Sequence, residues 1–433
     1  MIFSNLVVTT KLVTMTKIKP LIQLREMIAA ALSSMTNLGK SFRTFIIETM
    51  ELYLTSSGRM NFTQMARCSC SCESRFRQNF KKPFDWLSFN RHFLSPMMGH
   101  RIAIGIDPCF IPKAGKKTPG VDWFWSGCAG AIKHGLEILG LSIVDADTKD
   151  AVFLKAEQTF TQKCRGRKPN CTKGMDDPDS LTGWYLRMLC RLSKQLLSIC
   201  NLIVADAYFS KESFVGGVKN LGFNIISRFR DDVNLKYLYR GPKARKRGRP
   251  QKFAGKVDLK HLDMNIFKEE YSVDDKLVYK LYTADVWAVS LGREVRVVIV
   301  DYLDADKKTQ TRKVFFSTDL TISARDIFDI YRTRFQLEFV FRDAKQFTGL
   351  THCQARNKEA LAFAFNASLS SVNVARAYAR QQGHNLSVGS TKTLLHNAAM
   401  VDRFIAMSAK HANLRLNNTD FKELLFYGVR AVA

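Results

Sequence analysis

Arg101-Ile102-Ala103-Ile104-Gly105-Ile106-Asp107 is a short apolar run that ends on a carboxylate. A run of this kind reads as a buried strand that delivers its last residue to the end of a sheet. Asn201-Leu202-Ile203-Val204-Ala205-Asp206 repeats the pattern. Between and around them, Gly135 to Val144 and Ala151 to Ala156 read as strands, Leu181 to Leu197 as a helix, and Phe223 to Ser227 as a further strand. Ser210 is placed to cap a helix running to about Asn220. Three strands, helix, strand, helix, strand is the order of a mixed α/β core.

Ligands collect at neighbouring strand ends of such sheets. Two carboxylates brought together there repel each other unless a cation sits between them. Asp107 and Asp206 therefore suggest a hard-metal site with oxygen ligands, suited to Mg²⁺ or Mn²⁺, which a third carboxylate would complete.

One long helix can supply it. Ser323-Ala324-Arg325-Asp326 has the form of a capping box, and Gly349 is a stop, so a single helix is expected from about Ala324 to Phe347. On it, Tyr331, Arg334, Glu338 and Lys345 fall within about 60° of one another at 100° per residue, forming one stripe. A solvated face could carry such a mixture by chance. This helix also holds Ile327, Ile330, Phe335, Leu337, Phe339, Val340 and Phe341, so a charged stripe on it is better placed to line a cleft.

The flanks differ in texture. Residues 229–318 read as a β-rich insertion, with strand-like runs at Leu277 to Thr283, Glu294 to Tyr302 and Arg312 to Ser317. It opens with a basic loop, 236–256, that carries nine positive residues and no negative one. Residues 1–95 look helical, with three- and four-residue apolar steps in Ile22 to Leu32 and Phe42 to Leu54. Within them, Asn61 to Phe80 has the pattern of a helix-turn-helix whose second helix presents Ser74, Arg75, Arg77 and Gln78. The alternative is an ordinary helical hairpin with a basic face. The tail, 358–433, is helical again around Ala360 to Ala379, suited to packing or oligomerisation.

Charge narrows the partner. Sixty-six Lys and Arg against 39 Asp and Glu leave a formal charge of +27. Such an excess asks for a polyanion, and nucleic acid comes first because each neutralised phosphate releases counterions. With 46% hydrophobic residues, bulk disorder is excluded, and no apolar run reaches the length of a membrane span. The start, Met1 to Lys19, does not read as a signal peptide. The ten Cys, including the alternating Cys68, Cys70 and Cys72, lack paired zinc spacing and read as reduced, intracellular thiols.

These residues resemble a family. Tyr331-x2-Arg334-x3-Glu338-x6-Lys345 matches the signature of a group of bacterial insertion-sequence transposases of the DDE class. Ile104-Gly105-Ile106-Asp107 with Ile111-Pro112-Lys113-Ala114-Gly115-Lys116, and Val204-Ala205-Asp206-Ala207-Tyr208-Phe209, are similar to the surroundings of that family's two catalytic Asp residues. Similarity covers about residues 60–360. It implies an RNase H-like catalytic core in two parts, 96–228 and 319–357, split by the insertion 229–318 and flanked by an N-terminal DNA-binding region, 1–95, and a C-terminal helical region, 358–433.

The resemblance also implies a metal-binding catalytic triad of Asp107, Asp206 and Glu338 holding two Mg²⁺ (or Mn²⁺) ions. These would serve Mg-dependent cut-and-paste transposition at terminal inverted repeats, with transfer to target DNA. Tyr331, Arg334, Lys345 and the neighbouring Arg342 would grip phosphates. A homodimer bridging two double-stranded ends, in a bacterial cytoplasm and associated with the nucleoid, with no membrane partner, completes the expectation. Rival readings are an inactive, transposase-derived DNA-binding regulator and a host RNase H-like nuclease.

Further candidates are weaker. Lys246-Arg247-Gly248-Arg249-Pro250 resembles a hook for the narrow minor groove of A/T-rich DNA, or is simply a basic loop in which Arg247 and Arg249 meet phosphates. Lys113, Lys116 and Lys117 invite a phosphate reading. Trp287 is a candidate to hold a flipped base if a hairpin intermediate forms, but a core or sheet-surface Trp is the plainer reading. Asp145, Asp147, Asp231 and Asp232 read as solvated turn carboxylates, and His352 as a packed or surface residue.

Overall fold

The computed structural model describes residues 18–160, 180–241, 251–274, 277–303, 309–407, 419–427 and 429. The hook, Lys246 to Pro250, and with it Arg247 and Arg249, lies outside them.

The first strands are β1 (Ile102–Pro112), β2 (Asp122–Ser126), β3 (Ala131–Asp145) and β4 (Asp150–Gln158). β3 runs antiparallel to β1 and β4 antiparallel to β3. Next come the helix Leu181–Leu197, β5 (Leu202–Val204), the helix Glu212–Asn220 and β6 (Asn224–Arg228). β5 pairs parallel with β1, and β6 parallel with β5. The resulting order β4-β3-β1-β5-β6, three antiparallel strands followed by two parallel ones, is the RNase H-like core.

Strand alternation sorts the core into two layers. From β1, Ala103, Cys109 and Ile111 face one layer, with the N-terminal helices and the helices after residue 324. Ile104 and Ile106 face the other, with Leu189 of the helix Leu181–Leu197 and Phe214 of the helix Glu212–Asn220.

The strands after residue 229 are β7 (Leu235–Leu238), β8 (Phe253–Lys256), β9 (Lys268–Asp274), β10 (Leu277–Ala288), β11 (Arg293–Leu303) and β12 (Thr309–Ser317). β12 pairs with β6, so the inserted strands extend the sheet of the core rather than forming one of their own.

Two local expectations change. Ser210 does not cap the next helix. Its hydroxyl is bonded to Ser227 Oγ at 2.9 Å and to the Arg228 carbonyl at 2.7 Å, which ties it to β6. That helix starts at Glu212, whose acid group suits a helix N-terminus. The long helix is also two: α1 (Ala324–Thr333) and α2 (Gln336–Gln346). Between them the amides of Arg334, Phe335, Leu337 and Glu338 bond three residues back, to Tyr331, Arg332, Arg334 and Phe335. That is 3₁₀ winding, tighter than the α-helical pitch, and it makes Arg334 a joint. The start matches the reading: Ser323 Oγ accepts from the Asp326 amide at 3.0 Å. So does the stop, since Gly349 takes a φ of +74°.

The helix Lys358–Gln381, α3, is buried along most of its length. Its Asn366 and Asn373 bond the outer edge of β4. Asn366 accepts from the Ala156 amide and donates to the Ala156 carbonyl, both at 2.9 Å. Asn373 does the same at Phe153, at 3.0 and 2.8 Å. An open strand edge is thus closed by side chains. No helix among the described residues is long and apolar enough to cross a membrane.

Candidate active site

Register brings the two aspartates together. Gly105 of β1 is paired with Val204 of β5, and Asp107 and Asp206 each lie two residues further along. Even spacing keeps both on the sheet face that α1 and α2 cover. Asp206 ends its strand as the cap of a short 3₁₀ turn, accepting from the Tyr208 amide at 3.0 Å.

Glu338 arrives from α2 because two glycines let that helix approach. A Cβ on Gly105 would stand 2.6 Å from Leu337 Cδ1, and one on Gly140 would stand 2.6 Å from Phe341 Cζ. Gly140 is the partner of Asp107 across the β1–β3 ladder. Leu337 and Phe341 are one turn apart, so the helix seats on both gaps.

Arg334 occupies the joint. Its guanidinium lies 3.8 Å from Asp107 Oδ1 and 3.2 Å from Glu338 Oε1. Its Nε is buried and has no hydrogen-bond partner. Burial drives the Asp107 carboxyl up to about 7; Arg334 opposes this, while Asp206, Glu338 and Glu137 reinforce it. Burial also raises Asp206, again against Arg334. For Arg334, burial opposes its charge, but Asp107 and the other anionic neighbours more than offset that and hold its pKa above the ordinary value.

Among the described residues, no group of three His, Cys, Asp or Glu side chains stands close enough together to hold a metal ion. Arg334 bridges Asp107 and Glu338 instead. The donors nonetheless fit a hard divalent cation in kind: three carboxylates, with Asp107 and Asp206 burdened by burial of their charge.

The other expected residues fall into three groups. Some adjoin the carboxylates. Tyr331 packs its ring 4.8 Å from Phe315 and lines a cleft of about 590 Å³ with Arg228, Tyr302, Lys313, Arg332 and Arg334. Lys345 stands beside the buried Cys109 thiol, which burial pushes up to about 11 against the pull of Lys345. Others have partners elsewhere. Arg342 stacks 4.5 Å over Phe339 and pairs with Asp343 at 3.1 Å. Lys113 donates to the Cys353 carbonyl, while Lys116 is exposed.

The third group is the helical pair Phe62–Arg67 and Glu73–Asn79. There Arg75 donates to Ser71 Oγ at 2.8 Å and lies 3.6 Å from Glu48, and Arg77 pairs with Glu73. Trp287 sits on β10 with its ring 5.6 Å from Phe253, apart from the cleft lining. The exposed aromatic in that lining is Phe335. Asp145 departs from the solvated reading. It is fully buried and accepts from the amides of Gly99, Asp147 and Thr148 and from Thr148 Oγ1. His352 is packed, its Nδ1 accepting from the Met60 amide at 3.1 Å.

Sequence reading missed Glu137. It is 6% exposed, paired with Phe110 across from β1, and accepts from the Tyr185 hydroxyl at 2.6 Å. Burial raises its carboxyl against that bond. The signal was present: one Glu inside an apolar strand.

Two family descriptions match the chain: a DDE superfamily endonuclease over residues 54–268 and a transposase DDE domain over residues 188–374. No curated protein matches it. DDE nucleases generally use divalent metal ions, and a transposase family implies a DNA substrate. Overlapping through the core strands, the matched regions run from the N-terminal helices past Glu338, and the chain belongs to the DDE class of transposases.

Proposed function

We propose that this chain is a cut-and-paste transposase that cleaves DNA at the terminal inverted repeats of its own element and joins the freed ends to target DNA. The observation that carries the reading is Arg334, held between Asp107 and Glu338 on the face where Asp206 arrives.

Asp107, Asp206 and Glu338 would hold Mg²⁺ or Mn²⁺, two ions in all. Bound there, the ions would supply Lewis-acid activation of water or a 3′-hydroxyl and neutralise the leaving oxygen. The chain's own residues prepare for this. Asp107, with its carboxyl near 7, must give up a proton before it can serve as a ligand. Arg334 compensates buried negative charge while the site lacks substrate. Tyr331, Lys345 and Arg342 would extend the grip on the strand, with Arg228, Lys313 and Arg332 around the adjoining cleft. Arg75, Arg77, Lys113 and Lys116 are assigned to phosphates further away, and Arg247 and Arg249 to phosphate contact as well. A homodimer bridging two ends would place one such site on each.

The test is cleavage of end DNA in Mg²⁺ by wild type and by Asp107→Ala, Asp206→Ala and Glu338→Ala. We expect each substitution to abolish cleavage and leave binding intact. Persistent cleavage in all three would refute the triad. A wild type that binds ends but never cuts them would be the inactive regulator.

A further inference from the structure

The hairpin of β2 and β3 carries a surface that the site above does not use. Trp123, Trp125 and Ile132 are 65%, 61% and 62% exposed. Register pairs Trp123 with His134 and Trp125 with Ile132, so all four side chains share one face. Phe124 points the other way and is buried, which fixes the orientation of the hairpin. The Trp123 ring meets the His134 ring at 5.7 Å, and His134 Nδ1 bonds the Lys113 carbonyl at 3.2 Å. Large apolar side chains so exposed and so close together mark a contact surface.

Two properties identify its occupant. Residues two apart on one strand face are about 6.6 Å apart. That is twice the roughly 3.4 Å rise between stacked bases, so two indole rings can admit one planar base between them. The surroundings are also cationic. Exposed Lys116 and Lys117 lie on the loop from β1 to β2, with Asp122 at the base of the hairpin, while Lys133 is paired with Phe124 and points to the opposite face. A second copy of this basic chain would meet repulsion here, whereas a nucleic-acid backbone would be attracted.

We infer that the β2–β3 hairpin is a second DNA contact, in which an unpaired base stacks between Trp123 and Trp125 while Lys116 and Lys117 meet the backbone. This rests on the DNA reading above. Five residues of β1 and three of β3 separate the platform from Asp107, so it stands roughly 25 Å from the carboxylates. It would hold DNA some nucleotides away from the cut, at a place where the duplex is opened.

The experiment measures binding of the full chain to three probes: a fully paired duplex, the same duplex with a central run of mismatched bases, and a single strand. Wild type should bind the mismatched and single-stranded probes with quenching of tryptophan fluorescence. Trp123→Ala and Trp125→Ala should each weaken those two probes by roughly 5- to 150-fold, the range for loss of one stacked base, with less than about a two-fold change on the paired duplex. Trp123→Phe and Trp125→Phe should restore most of the binding, which separates stacking from misfolding. Equal binding of all probes by wild type and the Ala variants overturns the inference. So does an Ala variant that changes only sedimentation, which would make the hairpin an interface between copies. A wild type that binds none of the three probes would instead defeat the DNA reading itself.

Discussion

Gly140 stands directly across the β1–β3 ladder from Asp107, and its missing side chain is the space into which the Phe341 ring descends. A proposed metal-ligating carboxylate and a packing gap are thus partners in one strand pair. The helix that carries Glu338 is held at its distance by that gap and by its neighbour at Gly105.

Gly140→Ala should therefore separate the carboxylates. Its Cβ would meet Phe341 Cζ at 2.6 Å, so α2 must lift or the ring must turn. Overpacking of this kind costs about 1–3 kcal/mol. A displacement of about 1 Å at a reacting centre can remove about 100-fold in rate. Urea melts and cleavage assays on one preparation would check the pair of effects. Full activity in Gly140→Ala would show that the gap does not set the position of Glu338.

Arg334→Ala should destabilise the metal-free chain more at pH 8 than at pH 5. At pH 8 Asp107 is ionised, and removing Arg334 leaves buried anions uncompensated, at a cost of about 3–5 kcal/mol. Near pH 5 Asp107 carries a proton and loses less. Arg334→Lys should recover only part, because one ammonium cannot span the 3.8 Å and 3.2 Å contacts as the guanidinium fork does. Chemical denaturation at the two pH values in chelator reads this directly.

Asp107→Asn should stabilise the metal-free chain, and the gain should depend on pH with a definite sign. The folded carboxyl is raised to about 7, so protonation favours the fold. That contribution is complete below the unfolded value near 4 and is lost as pH rises through about 7. The asparagine variant is spared the loss. Its advantage should be absent near pH 4, grow up to pH 7 and level off at a few kcal/mol above it. An advantage that shrinks with rising pH would contradict the buried-charge account. With a divalent cation present, the wild type should recover and the variant should not.

Asn373→Ala should cost about 2–4 kcal/mol, because it orphans the amide and the carbonyl of Phe153 in a buried position and removes the bond to Asn90 Oδ1. Hydrogen exchange at the Phe153 amide should accelerate. A melting temperature within about 1 °C of wild type would mean that water replaces the side chain.

Much of this was legible along the chain because it is local. The apolar runs before Asp107 and Asp206, the Ser323 cap and the Gly349 stop are matters of neighbours a few residues apart. The order of elements along the chain needed only those runs taken in sequence, although β2 was not read as a strand and the pairing order within the sheet came from the fold. The stripe of Tyr331, Arg334, Glu338 and Lys345 was legible as spacing, but the tightening at Arg334 was not. Nothing in Arg334-Phe335 forbids an α-helix, and the joint is where two helices dock on one sheet.

What required the tertiary structure is nonlocal. Asn366 and Asn373 look like ordinary helix residues until β4 lies beside them, 210 and 220 positions away in the chain. Asp145 looked solvated because its turn chemistry is local, whereas its burial is set by what packs around it. By itself, the sequence determined which carboxylates follow buried apolar runs and how much positive charge the chain carries, because periodicity and charge are written residue by residue. It did not show that β1 continues past Asp107 to Pro112, which leaves Asp107 in mid-strand rather than at the strand end. Only the fold decided that Arg334 lies between Asp107 and Glu338, and that Gly105 and Gly140 make room for Leu337 and Phe341 of α2, because distances across a sheet depend on register and on the volume of side chains from remote segments.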